Sequence, residues 1–456
     1  MKYRLYPGCA LLAASLFFTF SSAMAVTGGF SSEPGVDTAG RTYPEEELRR
    51  QLIKESKVIF INGDEGERAD RDSVESMMLR FYYDQFRSSQ DPEAPMFTFM
   101  SKNADLVMGI GATLKVRGMF DWNGSVPNAG FNTYLINMPK TPENWRQLRG
   151  DAAGSSIFFN LMGRHTVIGD YRVYIQGGFN GYGNSGFKLK KAWLQVRDFT
   201  VGLAPTTFSD PAAQPDLLDG AGANGKIDKT NVLVRYLHTF KGRWSVAGSL
   251  EFPSSNPDVD DATTKKCNDY IPDVAALGQY QWNRGLSHVR IAALLRTMSY
   301  RDLLTNETRH RVGWGVMLGT TVRAGRYIQF FGQTSVGKGI SAYTGDLSSG
   351  NYDLLANPLH PGELYAPTTL TGTVGLKAFW MPRLTSTFAV ATLRNFATDG
   401  THDATYKYGQ FLAVNLLYNI TPRIQCGLEY LAGKRMNFNR DHANANRLEA
   451  VLTASF

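Results

Sequence analysis

The residues of this 456-residue chain whose types and spacing could do chemistry are mostly basic. Lys115, Arg117, Arg164, Arg172, Arg235, Arg290, Arg296, Arg311 and Lys377 each stand on the polar side of a segment in which apolar and polar residues alternate. A guanidinium holds a carboxylate through two parallel N–H bonds, so such a set suits small organic acids. Water-filled surroundings lined this way attract anions and repel cations. The acids that share these faces, most clearly Glu251, Asp273, Glu429 and Glu449, are fewer. The bland alternative is that each arginine pairs with a carboxylate facing it and selects nothing.

Other chemistries find little support. His165, His238, His288, His310, His360, His402 and His442 are scattered, and neither H-E-x-x-H nor G-x-S-x-G occurs. Cys9, Cys267 and Cys426 show no C-x-x-C and no zinc spacing, so neither metal nor cofactor is expected. Asp258, Asp260 and Asp261 could ligate calcium, but such a run is more often a solvated surface. No basic block points to nucleic acid.

The elements that must position the basic residues are strands. From residue 105 onward the pattern alternates at period 2, giving roughly 16 strand candidates from 106–122 to 445–456. On this pattern Ile110, Leu114, Val116 and Phe120 share one face, and Lys115 and Arg117 the other. In 231–240 the faces are ambiguous until charge decides: Arg235 toward lipid would cost about 2–4 kcal/mol. The links sort by parity. Short ones fall at 166–169, 198–199, 241–242, 283–285, 324–326, 381–382 and 420–422, and longer ones lie between them. That describes an up-and-down antiparallel β-barrel spanning a membrane, and its two faces explain a mean hydropathy of only -0.25. Aromatics near strand ends, among them Phe120, Trp193, Phe240, Trp244, Tyr327 and Trp380, suit an interfacial girdle.

The ends agree. Residues 1–25 read as a secretory signal, with Lys2 and Arg4, an apolar stretch and Ala23-Met24-Ala25. Residues 26–42 form a linker. Residues 43–104 are expected to be a helical periplasmic extension, with helices at 43–57 and 70–87, and 105–456 the barrel. The chain ends in an alternating strand finishing at Phe456, as outer-membrane barrels of Gram-negative bacteria do. Cys267 on a loop and Cys426 on the lipid face are expected to be unbridged.

The stretch 205–230 is dense in Asp, Pro and Gly, which suits a rigid inward loop carrying Asp210, Asp216 and Asp219. Here a resemblance becomes specific. The run Val201-Gly202-Leu203-Ala204-Pro205-Thr206-Thr207-Phe208-Ser209-Asp210-Pro211, then Pro215-Asp216-Leu217-Leu218-Asp219 and Gly222-Ala223-Asn224-Gly225, resembles a signature of DcaP-like trimeric outer-membrane porins. Met108-Gly109-Ile110-Gly111 with Lys115, Arg117 and Asp121-Trp122 resembles that family's first strand. Ala204-Pro205 stands where the family has Thr-Trp, and the long N-terminal coiled coil of some members is absent from the sequence. The resemblance implies a homotrimer of barrels, a loop constricting each pore, and anionic solutes such as dicarboxylates.

The expectation is therefore a non-enzymatic outer-membrane porin, set among outer-membrane lipids and lipopolysaccharide, passing small hydrophilic solutes with a preference for anions. Two rivals stay open on the residues. One is a structural or adhesive barrel plugged by 123–154 and 341–368. The other is an outer-membrane lipase, whose Ser and His need not be neighbours in sequence.

Overall fold

Alternation along Leu106–Trp122 turns Ile110, Leu114, Val116 and Phe120 to the outer surface and buries Arg117, Met119 and Asp121. The apolar side is the exposed one. That inverts a soluble sheet and is what a strand between lipid and a polar interior requires.

The computed structural model describes residues 43–55, 57–61, 95–101, 106–180, 186–396 and 404–456. The expected leader 1–25, linker 26–42 and helix 70–87 lie outside the described residues.

The barrel strands are β1 Leu106–Trp122, β2 Ser156–His165, β3 Gly169–Asn180, β4 Gly186–Val196, β5 Phe199–Pro205, β6 Thr230–Phe240, β7 Trp244–Glu251 and β8 Asp273–Trp282. They continue as β9 Ser287–Asp302, β10 Glu307–Ala324, β11 Ile328–Lys338, β12 Thr368–Met381, β13 Leu384–Phe396, β14 Tyr406–Thr421, β15 Ile424–Asn437 and β16 His442–Ser455. Each pairs antiparallel with the next, and β16 closes on β1 with Leu448 opposite Phe120 and Leu452 opposite Val116. The terminal Phe456 extends the seam, exchanging backbone bonds with Ala112 at 2.8 and 3.2 Å. The result is the closed 16-stranded antiparallel barrel that the alternation predicts.

One end of the barrel carries only tight turns, at 166–168, 197–198, 241–243, 283–286, 325–327, 382–383 and 422–423. Gly242 and Gly325 turn there with φ of 67° and 63°, in the left-handed region that favours glycine. The other end carries the long loops, including 123–155, 206–229, 252–272 and 339–367. Cys267, on one of these, and Cys426, on β15, are both free.

Two details depart from the sequence reading. Helix α1, Pro44–Glu55, forms as expected, but Lys57–Ile61 and Phe97–Ser101 are strands within the stretch expected to be helical. They pair parallel, and Phe97–Ser101 runs antiparallel to the start of β1 with Phe97 opposite Ile110. Val58-Ile59-Phe60-Ile61 and Phe97-Thr98-Phe99 are strong strand formers. The first residues of β1 also extend beyond the end of β16, leaving an edge to be paired. Trp193 does not join a girdle. It stands opposite Tyr174 in the ladder, is 3% exposed and stacks on that ring at 5.5 Å, facing inward. Phe240, Trp244, Tyr327 and Trp380 do lie on the outer surface near the turn end.

The face assignment predicts a stability effect. Ile291 is outward on β9, midway between Ser287, which stands opposite Trp282, and Leu295, which stands opposite Trp314. Ile291→Arg should destabilise the folded barrel by about 2–4 kcal/mol in lipid, and Tyr327→Arg near the turn end by about 0–1. Reversible unfolding from vesicles measures both; equal costs would contradict the depth assignment.

Candidate functional site: a loop across the lumen

Inside the barrel the wall alternates polar groups with small apolar ones, and loops pack on the latter. Phe208, Ile227, Ile340 and Tyr343 from two loops bury against Ala247, Ala275, Ala292 and Met317. Val126, Phe131, Ile136 and Ala223 bury against Ala389, Phe411, Ala413 and Leu431. Gly315 leaves the space for this approach, because a Cβ there would sit 2.8 Å from the Phe208 ring.

The loop 206–229 begins at β5 and crosses to the opposite wall. At its start Glu251 accepts the Thr206 hydroxyl and the Thr207 N–H, both at 2.9 Å. Asp210 then meets His288 Nε2 at 2.8 Å, and Arg290 at 3.7 Å. Arg290 also donates to the Ser209 carbonyl at 2.7 Å and to Gln279. Further along, Asp216 pairs with Lys377 on β12. Glu429 on β15 accepts the N–H groups of Leu218 and Asp219 at 2.9 and 2.8 Å. Lys115 on β1 donates to the Leu218 carbonyl at 2.6 Å. Asp219 folds the tip on itself, accepting N–H groups from Ala221 and Gly222, and receives the Phe131 N–H from the first long loop.

The other inward loops are fastened similarly. Arg296 meets Asp353 at 3.2 Å and Asp273 at 3.5 Å, and donates to the Gly339 and Ser254 carbonyls. Asp346 accepts the hydroxyls of Thr133 and Tyr406, each at 2.7 Å. Arg447 on β16 holds Asp121 at 2.6 Å and the Ala129 carbonyl at 2.8 Å.

The sequence-predicted residues therefore divide. Arg117 (with Asp151 and Glu449, both on strands paired with β1), Arg290 and Arg296 are buried in ion pairs, the last two of which tie strands to loops. For these three the pairing alternative describes the geometry. Arg311 donates to the Leu364 carbonyl of the last inward loop. Arg172 donates to Asn160 and lies over Trp193. Arg235 donates to the Pro205 carbonyl where the crossing loop begins. Arg164 lies apart at the turn end, paired with Asp170 at 2.6 Å with both side chains exposed. Lys115 and Lys377 reach the crossing loop. Asp210 and Asp219 are buried fasteners.

Asp216 and Asp228 differ: both lie on the loop that crosses the lumen, yet their side chains stay 55% and 52% exposed, so water reaches each of them. Lys226 meets Asp228 at 2.6 Å. Lys191 on β4 is the ladder partner of inward Gln176 and acts on Asp228 from the wall. Sequence reasoning passed over Lys191, Lys226, Asp228, Asp346 and Asp353. The alternation at Lys191 sits in a run, Lys188-Leu189-Lys190-Lys191, that hides its face, and the rest lie on loops where period says nothing.

The charges set the titration. Burial alone would raise the Asp210 carboxyl, but Arg290 and His288 hold it down at about 2. Lys377 holds Asp216 below the usual carboxylate range, against burial.

A closed barrel of 16 antiparallel strands, with turns at one end and a loop crossing the lumen after the fifth strand, is the fold of outer-membrane channels. Among solved structures, the outer-membrane channel DcaP of Acinetobacter baumannii matches this chain with a TM-score of 0.66 and 19% identity, covering 76% of this chain and 97% of that one. A loop-deletion mutant of the Vibrio cholerae outer-membrane protein OmpT and Salmonella typhi OmpF with daunomycin each match at 0.49, with 10% and 9% identity, over 77% and 78% of this chain and 100% and 99% of theirs. The first match shows the fold. No family model and no curated protein matches the chain.

Two outcomes follow from the fastening. Asp210→Ala strands a buried guanidinium and should destabilise the chain by about 3–5 kcal/mol in an unfolding titration. Both carboxyls titrate lower folded than unfolded, so each contact is complete above the ordinary value of about 4 and is lost as pH falls through the depressed one. Hydrogen exchange at the 208–218 amides should thus stay slow at about pH 5 and speed up as pH approaches 2. Loosening already at neutral pH would contradict the assignment.

Proposed function

We propose that the chain is an outer-membrane porin that passes small hydrophilic solutes by diffusion and favours anions. The observation that carries this is the crossing loop with Asp216 and Asp228 half exposed inside a closed barrel. In this reading the loop narrows the lumen without ending it. Charge near a constriction acts strongly, because low-dielectric walls focus the field.

The anion preference rests on the lysines and arginines that face this passage or flank it: Lys115, Lys191 and Lys377, with Arg172 and Arg235 beyond them. Small organic acids suit these groups, and the DcaP-like sequence motifs support the same solute class. Those motifs also support a homotrimer. In this reading the turn end is periplasmic, the long loops face outward, and residues 1–25 direct export.

A plugged structural barrel is the second reading, favoured by the burial of parts of 123–155 and 339–367 in the lumen. Planar-bilayer recording separates the two. The porin reading expects stepwise conductance and a reversal potential, in a KCl gradient, displaced toward that of chloride. Lys191→Glu should reduce the chloride preference severalfold, and Asp228→Asn should raise it. A silent bilayer, or reversal toward potassium, would overturn the proposal.

A further inference from the structure

The turn end of the barrel is rich in basic residues. Each of the seven tight turns has an arginine in it or at its flank: Arg164, Arg197, Arg243, Arg284, Arg326, Arg383 and Arg423. The first and last of these meet carboxylates, Arg164 with Asp170 and Arg423 with Glu55 of α1 at 3.8 Å. The arc between them, turns 197–198, 241–243, 283–286, 325–327 and 382–383, holds Lys241 in addition and one acid, Asp198. Asp198 is engaged by His238 at 2.7 Å.

At the opposite end, loop 252–272 has Asp258, Asp260, Asp261 and Asp269 against Lys265 and Lys266. That loop does not share the basic excess of the arc.

The arc also has a direction. Arg197, Lys241, Arg243 and Arg383 are exposed. Arg326 lies over the Tyr327 ring at 5.5 Å, and Tyr327 is an outward aromatic. Arg383 donates to the carbonyl of Ile420, another outward residue, at 3.2 Å. Just inside the arc stands a row of outward aromatics: Phe199, Phe240, Trp244, Tyr327 and Trp380. An aromatic belt marks the depth where hydrocarbon gives way to headgroups. Cations one step beyond it sit at the level of lipid phosphates. Arginine is the side chain that binds phosphate through paired N–H groups.

We propose that this arc, Arg197–Lys241–Arg243–Arg326–Arg383, is a binding collar for anionic phospholipids of the adjoining leaflet. It rests on the outer-membrane reading, in which that leaflet is the periplasmic one. The collar fixes the depth and tilt of the turn end, where the tight turns themselves offer little surface. It engages the lipid phosphate and so takes phosphatidylglycerol in preference to a lipid without net charge.

Tryptophan quenching tests this, because Trp244 and Trp380 lie beside the collar. The folded full chain is placed in phosphatidylcholine vesicles containing either brominated phosphatidylglycerol or brominated phosphatidylcholine. The expected result is a phosphatidylglycerol preference of roughly fivefold for each cation in contact. Arg243→Gln/Arg326→Gln/Arg383→Gln should bring it close to parity, and Lys265→Gln/Lys266→Gln at the other end should leave it unchanged. Should the triple variant not fold, the single substitutions Arg326→Gln and Arg383→Gln should each give part of the loss. Equal quenching by the two lipids in the native chain, or a preference kept in the triple variant, would overturn the collar while leaving the barrel in its membrane. Absence of quenching by brominated phosphatidylcholine would overturn the membrane reading, and the collar with it. Native chain that shows no lipid preference but sediments with cell-wall sacculi through the same arginines would reassign the arc to a wall polymer.

Discussion

A strand in hydrocarbon can leave no backbone group unpaired, and the rest of this molecule follows from that constraint. It is met by the seam between β1 and β16, which turns a sheet with two edges into one with none. The seam is continued by the terminal Phe456 and, beyond the reach of β16, by Phe97–Ser101 against the start of β1. Closure then sorts every side chain. Alternate residues face lipid and must be apolar, so the polar and charged residues of sixteen strands are turned toward a shared interior.

An interior so crowded with charge needs partners. A buried guanidinium without them costs several kcal/mol, a sum comparable with the entropy the loops lose by ordering a few residues. The loops supply what the strands lack. Arg296 takes a carboxylate from its neighbouring strand, Asp273, and one from a loop, Asp353. Glu429 takes two loop N–H groups, and Asp210 answers both His288 and Arg290. The fastening runs both ways: the wall is satisfied by the loop, and the loop is held across the lumen by the wall. Apolar contacts finish the work where the wall offers alanine and glycine, as at Ala275, Ala292 and Gly315.

How much of this is legible in the sequence depends on how often each signal repeats. A strand face repeats every second residue over ten or more positions, and the lipid penalty leaves little room for exceptions, so β1 and the inward turn of Arg235 can be read directly. Trp193 shows the limit. An aromatic ring suits either face, and the ladder near it is irregular between Gln176 and Gly177, so type alone misplaces it. The inward loop is readable from its Pro, Gly and Asp density, and so are the arginines that meet it. Some of their partners, such as Asp210 and Asp273, are read with them, but others are not. Asp353 and Asp346 meet Arg296, Thr133 and Tyr406 across 57 or more positions, from loops without period, and nothing in the sequence around them distinguishes them from solvated acids.

This is why a tally of inward arginines misjudges what the lumen would do to a passing ion. Arg117, Arg290 and Arg296 are the most conspicuous of them in the sequence, and each is neutralised by a carboxylate within 4 Å. A paired buried charge presents little net field. A half-exposed one beside a narrow wet passage presents much more, because the surrounding protein screens it poorly. Under the proposed function, the residues nearest to such an ion are few and inconspicuous: Asp216 with Lys377, Asp228 with Lys226, and the wall lysines Lys115 and Lys191, with Arg172 and Arg235 beyond them. Much of the charge in the interior ties loop to wall, and on that proposal the sign of the selectivity is set by the side chains that remain.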